Sequence, residues 1–197
     1  MTEVDPVSTA ILFLDARSHS AWAPRAVDDA TLRRIYEVSR MAPTSANSQP
    51  MRVLFVKSHD AKEKLRPALA AGNVEKTMAA PVTAIIAVDP TFHEKMPKLF
   101  PARPQMAASL ASMPPEARQF MLLQNGSLQA GYFIIAARSL GLDCGPMGGF
   151  DRAKVNETLL ADLGWQSILL INLGYGLPER LMPRNPRLDF DEACKIV

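Results

Sequence analysis

One stretch restricts the fold of this chain more than any other. Arg118 to Leu140 reads as a single long helix, and it delivers Cys144-Gly145-Pro146-Met147-Gly148-Gly149-Phe150 to a fixed place as a glycine turn. From Leu128 to Leu140 the apolar residues are not confined to one stripe: Tyr132, Phe133, Ile134, Ile135, Ala136 and Ala137 cover nearly every direction. A helix apolar all round has to be buried on all sides. Gly126, Ala130 and Gly131 are small enough for another helix to approach closely, although glycine costs about 1 kcal/mol in a helix interior. Gly141 supplies a left-handed stop. The pattern predicts a central helix at the heart of the molecule, shared with a second copy of the chain.

A chain of 197 residues can bury a full core, and one domain spanning 1–197 is expected. It is 48% hydrophobic and 21% charged, as soluble globular proteins are. A net charge of +2, with scattered basic residues, points to no nucleic-acid partner and no membrane surface. Cys144 and Cys194 form neither a disulfide framework nor a metal site and suit a reducing compartment. The N-terminus lacks the basic start and apolar run of a signal peptide, and no apolar run approaches the ~18 residues of a membrane span. A cytoplasmic location is expected.

Along the chain, Ser8 is a candidate cap for a helix through Arg17, and Asp28 or Asp29 for a helix to about Met41. Pro43 stops the second. Asp60 with Glu63 resembles a capping box for a helix ending before Gly72, and a short helical turn follows at Glu75 to Met78. Met51–Val56, Val82–Val88 and Ser167–Leu173 are apolar runs with few polar interruptions, which predicts strands covered on both faces. Thr91 to Pro115 is rich in proline and methionine and shows little periodicity. A loop so long inside a compact domain is usually functional, so it is read as an excursion over a site. Asp151 caps a helix to about Leu160, and Asp189 or Asp191 starts a short helix near the end. Helices and strands alternate poorly, so the predicted class is α+β: a small central sheet wrapped by helices.

Three stretches carry candidate chemistry. Pro43-Thr44-Ser45-Ala46-Asn47-Ser48-Gln49-Pro50 offers hydroxyls and amides, donors and acceptors without charge, which suits a planar heterocycle. A turn-rich connector would have the same composition. Gly145-Pro146-Met147-Gly148-Gly149 lets a backbone N–H come close to a ligand, or is simply a tight turn. Arg184-Asn185-Pro186-Arg187 together with Arg17 can hold a phosphate. Gly174-Tyr175-Gly176 lacks the third glycine and the helix of a dinucleotide fingerprint, so NADH and NADPH stand on an equal footing. His19, His59 and His93 are dispersed, which predicts no metal site, and no nucleophile motif is present.

In order and spacing these stretches resemble the FMN-dependent nitroreductase family, and more closely its malonic semialdehyde reductase (3-hydroxypropionate dehydrogenase) branch. The likeness runs through Asp15-Ala16-Arg17-Ser18-His19, Pro43-Thr44-Ser45-Ala46-Asn47, Gly72-Asn73, Ala80-Pro81-Val82, Gly145-Pro146-Met147, Gly149-Phe150-Asp151-Arg152, Gly174-Tyr175-Gly176 and Pro186-Arg187-Leu188. It implies a nitroreductase-like fold and a homodimer with two FMN sites, each built from both chains. Arg17, Ser18 and His19, with Arg187, would hold the phosphate end. Pro43, Thr44, Ser45 and Asn47 would reach the ring from the partner chain. Pro146, Met147, Gly148 and Gly149 would lie against the ring, with the Gly148 N–H near N5.

The implied reaction passes hydride from NAD(P)H through FMN, with no catalytic side chain, to malonic semialdehyde, giving 3-hydroxypropionate in pyrimidine breakdown. Arg103 is the candidate cation for the acceptor's carboxylate. A broad nitroaromatic or quinone reductase is the alternative, and a non-catalytic flavin-binding protein a distant third. Ser20 and Asn185 stand where many members carry Arg and Lys, which suggests weak flavin retention.

Overall fold

The most continuously apolar runs of the sequence pair at the middle of one antiparallel sheet. The computed structural model describes residues 5–197. In order, its elements are α1 (Pro6–Thr9), α2 (Asp29–Ser39), β1 (Met51–Val56), α3 (His59–Leu65), α4 (Ala71–Ala79), β2 (Val82–Val88), α5 (Met96–Leu99), α6 (Met106–Ala111), α7 (Pro115–Ser139), β3 (Asp143–Met147), α8 (Arg152–Val155), β4 (Gln166–Gly174) and α9 (Phe190–Ala193). The strand order is β1-β2-β4-β3. Register runs Met51 to Val88, Ile85 to Leu170 and Met147 to Leu170. The class is α+β, as the patterning predicts.

Side chains alternate across a strand, and both faces of β2 are covered. Val82, Ala84 and Ile86 pack with Leu32, Ile35, Phe133 and Ala137 of α2 and α7. Ile85 and Ala87 pack on the other face with Leu65, Val155, Leu160 and Met147. Gly126 is needed because α7 lies directly on the sheet: a Cβ there would sit 2.5 Å from Val88 Cγ1. Gly141, at φ +79°, ends the helix as predicted.

The structure corrects the reading of the central helix. It begins at Pro115, three residues early, because a proline in the first turn lacks only an N–H that has no helical partner. Within one chain its burial is one-sided. Phe120, Leu128 and Tyr132 are 67%, 46% and 45% exposed and share a stripe with Gln124, Ser127 and Gly131. Gly126 and Ala130 face the chain's own core, and Gly131 has open space beside it.

Asp28, Asp151 and Asp189 cap α2, α8 and α9 as read, the last with Glu192 in a capping box. Two other caps differ. Ser58, not Asp60, accepts from the Ala61 N–H, and Asp60 lies in the first turn, where its charge still favours the helix N-terminus. Asp5, not Ser8, caps the first helix, with Pro6 beginning it. That helix stops at Leu14 after a wider turn, where Asp15 N–H reaches Ala10 O. The Glu75–Met78 turn is part of the longer α4.

The 91–115 excursion is folded. Phe92, Met96 and Leu110 form a small core with Val88 and Leu122. Pro97 falls in the first turn of α5, where it starts a helix instead of breaking one. The expected turn at Cys144–Phe150 is also corrected: its first part is edge strand β3. Pro146 is tolerated there because an edge strand has a side without ladder bonds. Gly145 is required because a Cβ would collide with the His19 carbonyl crossing above it. Among the described residues no helix is long and apolar enough to cross a membrane.

Candidate functional site

Three groups of residues meet the chemistry sought in the sequence, and the sheet decides which can meet each other. The first surrounds Arg17. Ser18 bridges to Cys144, and His19 N–H donates to Cys144 O at 3.0 Å, so this segment is tied beside β3. Arg17 Nη2 donates to Met182 O at 2.6 Å, and Arg184 Nη2 donates to Ala16 O at 3.0 Å, which brings the C-terminal segment alongside. Arg187 Nη1 donates to Asn185 O and Pro186 O, and Arg138 Nη1 to Leu12 O at 3.0 Å. Two adjoining cavities of about 280 and 500 Å³ share Arg17, Ser18, Arg184 and Arg187. Arg180 lines one and Arg138 the other, and no carboxylate lines either. None of these five arginines pairs with a carboxylate among the described residues. Like charges held together by neutral carbonyls create a potential that an anion satisfies.

The second group is the loop before β1. Ala46, Asn47 and Gln49 have φ of 53°, 54° and 42°. Non-glycine residues in this region cost on the order of 1–3 kcal/mol each and persist only where the surroundings hold them. The hold comes from α7. Asn125 Oδ1 accepts from Ser45 N–H at 2.7 Å, and Gln129 Oε1 accepts from Met51 N–H at 2.9 Å. Thr44 Oγ1 accepts from Gln49 N–H, and Asn47 Nδ2 donates to Leu99 O at 2.8 Å. Pro43, Ser45 and Asn47 are left exposed on a fixed backbone.

The sequence reading passed over Asn125 and Gln129. Their signal is two amides four residues apart, hence on one face, and that face is shared with the apolar Leu122 and Phe133. Gln129→Leu strands the buried Met51 N–H, which costs about 1–3 kcal/mol. The expected result is a melting temperature lower by several degrees, with new protease cleavage between residues 43 and 50. An unchanged cleavage pattern would show that the loop holds itself.

The third group is the end of β3. Met147 is buried, with Thr77 Oγ1 3.5 Å from its Sδ. Gly149 O accepts from Asn73 Nδ2 at 2.7 Å and from Ala70 N–H at 3.1 Å. Gly148 is exposed, with nothing within 4 Å of where a Cβ would stand. The backbone can therefore be approached closely. Cys144, behind it, is packed: burial pushes its thiol up to about 12.

Within one chain the first and third groups share the β3 edge, and the loop lies at the β1 edge. Three interstrand spacings of about 4.8 Å set those edges roughly 14 Å apart. His19 contributes backbone here; its ring is buried, with Nε2 3.4 Å from Asp143 Oδ1 and Nδ1 without a partner. Arg103 is exposed, its guanidinium 5.7 Å from the Phe100 ring centre, and it lines none of these cavities.

Residues 14–175, which hold all three groups except the C-terminal arginines, match the family described as "Nitroreductase family". The chain belongs to the nitroreductase family. It is 50% identical to a protein of Ralstonia nicotianae named "Putative NADH dehydrogenase/NAD(P)H nitroreductase", with all of both chains covered. A protein of the same name from Stutzerimonas stutzeri is 50% identical over 98% of this chain and 97% of its own. In fold it is similar to a nitroreductase structure with FMN from Exiguobacterium sibiricum, at TM-score 0.85 and 19% identity, covering 100% and 99% of the two chains. A Bacillus subtilis nitroreductase structure matches at TM-score 0.88 and 22% identity, covering 98% and 100%. The family resemblance drawn from the sequence is met at the level of the nitroreductase family, whose members bind FMN and use NAD(P)H.

Two features of this chain's own geometry suit that cofactor. The carboxylate-free arginine cluster matches a phosphate, and the open backbone at Gly148 admits a flat ring. Ser20 and Asn185 line the same cavity without adding charge, and Arg138, Arg180 and Arg184 bring further cations to the two cavities.

Proposed function

We propose that this chain is an NAD(P)H-dependent FMN oxidoreductase, working as a homodimer, that reduces a small oxidised acceptor such as malonic semialdehyde. The arginine cluster without carboxylates carries this reading, because it calls for a phosphate. Arg17, Ser18 and Arg187, joined by Arg138 and Arg184, would hold the phosphate end. Pro146 to Gly149 would bound one side of the ring. Pro43, Thr44, Ser45 and Asn47 would come from a second copy, since one chain leaves them at the opposite sheet edge. The exposed Phe120, Leu128 and Tyr132 stripe and the uncovered Met182, Leu188 and Phe190 support such a copy, and members of the family are typically dimeric.

When bound, FMN supplies reversible two-electron hydride chemistry. The chain's part is to hold it, exclude water and orient the acceptor. Neutral hydroxyls and amides on a backbone fixed by Asn125 and Gln129 do this without reorganising. Reduction of the aldehyde to an alcohol consumes one hydride and one proton, and no side-chain nucleophile is needed.

The relatives' names favour a second reading, a broad nitroaromatic or quinone reductase. The test is anaerobic bleaching of the FMN-loaded protein with NADH and with NADPH. Turnover with malonic semialdehyde, nitrofurazone and menadione is then compared. A kcat/KM for the semialdehyde at least tenfold above the other two supports the proposal. The reverse order moves the assignment to the broad reductase, and a monomer indifferent to FMN overturns both.

A further inference from the structure

A second cationic groove lies away from the Arg17 cluster, beside the strained loop. It encloses about 490 Å³ and is built from three separate segments: the end of α2 (Tyr36, Arg40), the loop and β1 (Gln49, Arg52), and the 92–99 segment (Lys95, Lys98). The whole chain has 22 basic and 20 acidic residues, yet this wall holds four cations and no acid. Only Arg52 has a carboxylate partner among the described residues, Asp89 Oδ2 at 2.7 Å. It also donates to Gln49 O and Met51 O, so its guanidinium is fixed in the floor. Burial alone would raise the Asp89 carboxyl, but bonds from Thr91 and the Arg52 charge hold it below the usual carboxylate range, so the pair stays ionised. Arg40, Lys95 and Lys98 are exposed and have no carboxylate partner among the described residues. Asn47 Nδ2 on Leu99 O ties the lysine-bearing segment to the loop, and Gln49 belongs to both loop and groove. Tyr36 adds an exposed aromatic face.

We propose that this groove takes the adenosine 2′-phosphate end of NADPH, and that Arg40, Lys95 and Lys98 make the protein prefer NADPH to NADH. Three unpaired cations suit a phosphate dianion better than a hydroxyl pair. The tyrosine face beside them suits the adenine, and the volume lies in the range of small-molecule sites. The inference rests on the oxidoreductase reading above.

The probes are 2′,5′-ADP, 5′-AMP and malonate, titrated calorimetrically into the native protein and into a Lys95→Ala/Lys98→Ala variant, with Lys64→Ala/Lys195→Ala, exposed lysines outside the groove, as an equal-charge control. The expected result is 2′,5′-ADP bound at least tenfold more tightly than 5′-AMP, a preference lost in the double variant and kept in the control. The ratio of kcat/KM for NADPH over NADH should fall tenfold or more in the same variant, through KM. Equal affinity for the two nucleotides overturns the inference. So does malonate binding that disappears in the variant while 2′,5′-ADP is unaffected, which would make the groove an acceptor-carboxylate site. FMN per chain is read on every preparation. Full FMN without nucleotide discrimination removes only the groove, whereas absent FMN removes the reading beneath it, and nucleotide discrimination is still scored by calorimetry.

Discussion

Arg17→Ala is expected to weaken FMN binding by ten- to a hundredfold, read as the dissociation constant from flavin fluorescence on titration of cofactor-stripped protein. The arginine stands in both cavities of the cluster, beside Ser18, with no carboxylate among the described residues to neutralise it. A hydrogen bond to a charged group contributes about 1.5–3 kcal/mol, and every 1.4 kcal/mol is about tenfold in affinity. Arg17→Lys should recover part of the loss, because it keeps the charge but not the planar fork. Arg25→Ala is the control: Arg25 lies over the Tyr175 ring at 3.7 Å and lines neither cavity. Arg17 also donates to Met182 O, so the melting temperature is measured in parallel to separate lost tail anchoring from lost phosphate contact. A dissociation constant within twofold of the starting protein would remove the cluster from the phosphate role.

The parts of this architecture that the sequence makes readable are those whose cause is local. Val82–Val88 is apolar at every position but Thr83, so a strand covered on both faces follows directly, and the structure has it at those bounds. Asp28, Asp151 and Asp189 act on N–H groups within three residues, so their caps can be read from neighbours alone. Long-range causes are hidden. Asp143–Met147 contains Gly145 and Pro146 and reads as a turn; only pairing with β4 at an edge makes it a strand. Pro97 and Pro115 read as breakers until their place in a first turn is known.

The site divides in the same way. Arg17 and Arg187 can be picked out from motif likeness, but Arg180 joins them only because the C-terminal segment returns past residue 17, and Arg138 only because the end of α7 lies against Leu12. The groove of Arg40, Lys95 and Lys98 is invisible for the same reason, since its walls are more than fifty residues apart in the chain.

The largest stability change is expected at Lys62, a residue outside the ligand sites. Its side chain is buried, and Nζ donates to Thr77 O at 2.8 Å and to Ala80 O, with Met78 O at 3.5 Å. These carbonyls end α4, where a cation is favoured by the helix dipole and the last C=O groups lack helical partners. The same end carries Trp22 Nε1 and Asn172 Nδ2 on Lys76 O, and Thr77 against Met147. Lys62→Met leaves buried acceptors unsatisfied, a loss of about 2–4 kcal/mol, or roughly 4–16 °C in melting temperature for a domain of this size. Burial lowers the Lys62 pKa from 10.5 to about 8. A base whose folded pKa lies below its unfolded value binds fewer protons in the native state, so native stability rises with pH between those two values. The gap in melting temperature between the starting protein and Lys62→Met should therefore widen from pH 8 to pH 10. A gap that stays flat would mean the three carbonyls keep the ammonium charged against its burial, and a gap near zero at every pH would mean that α4 ends without this lysine's help.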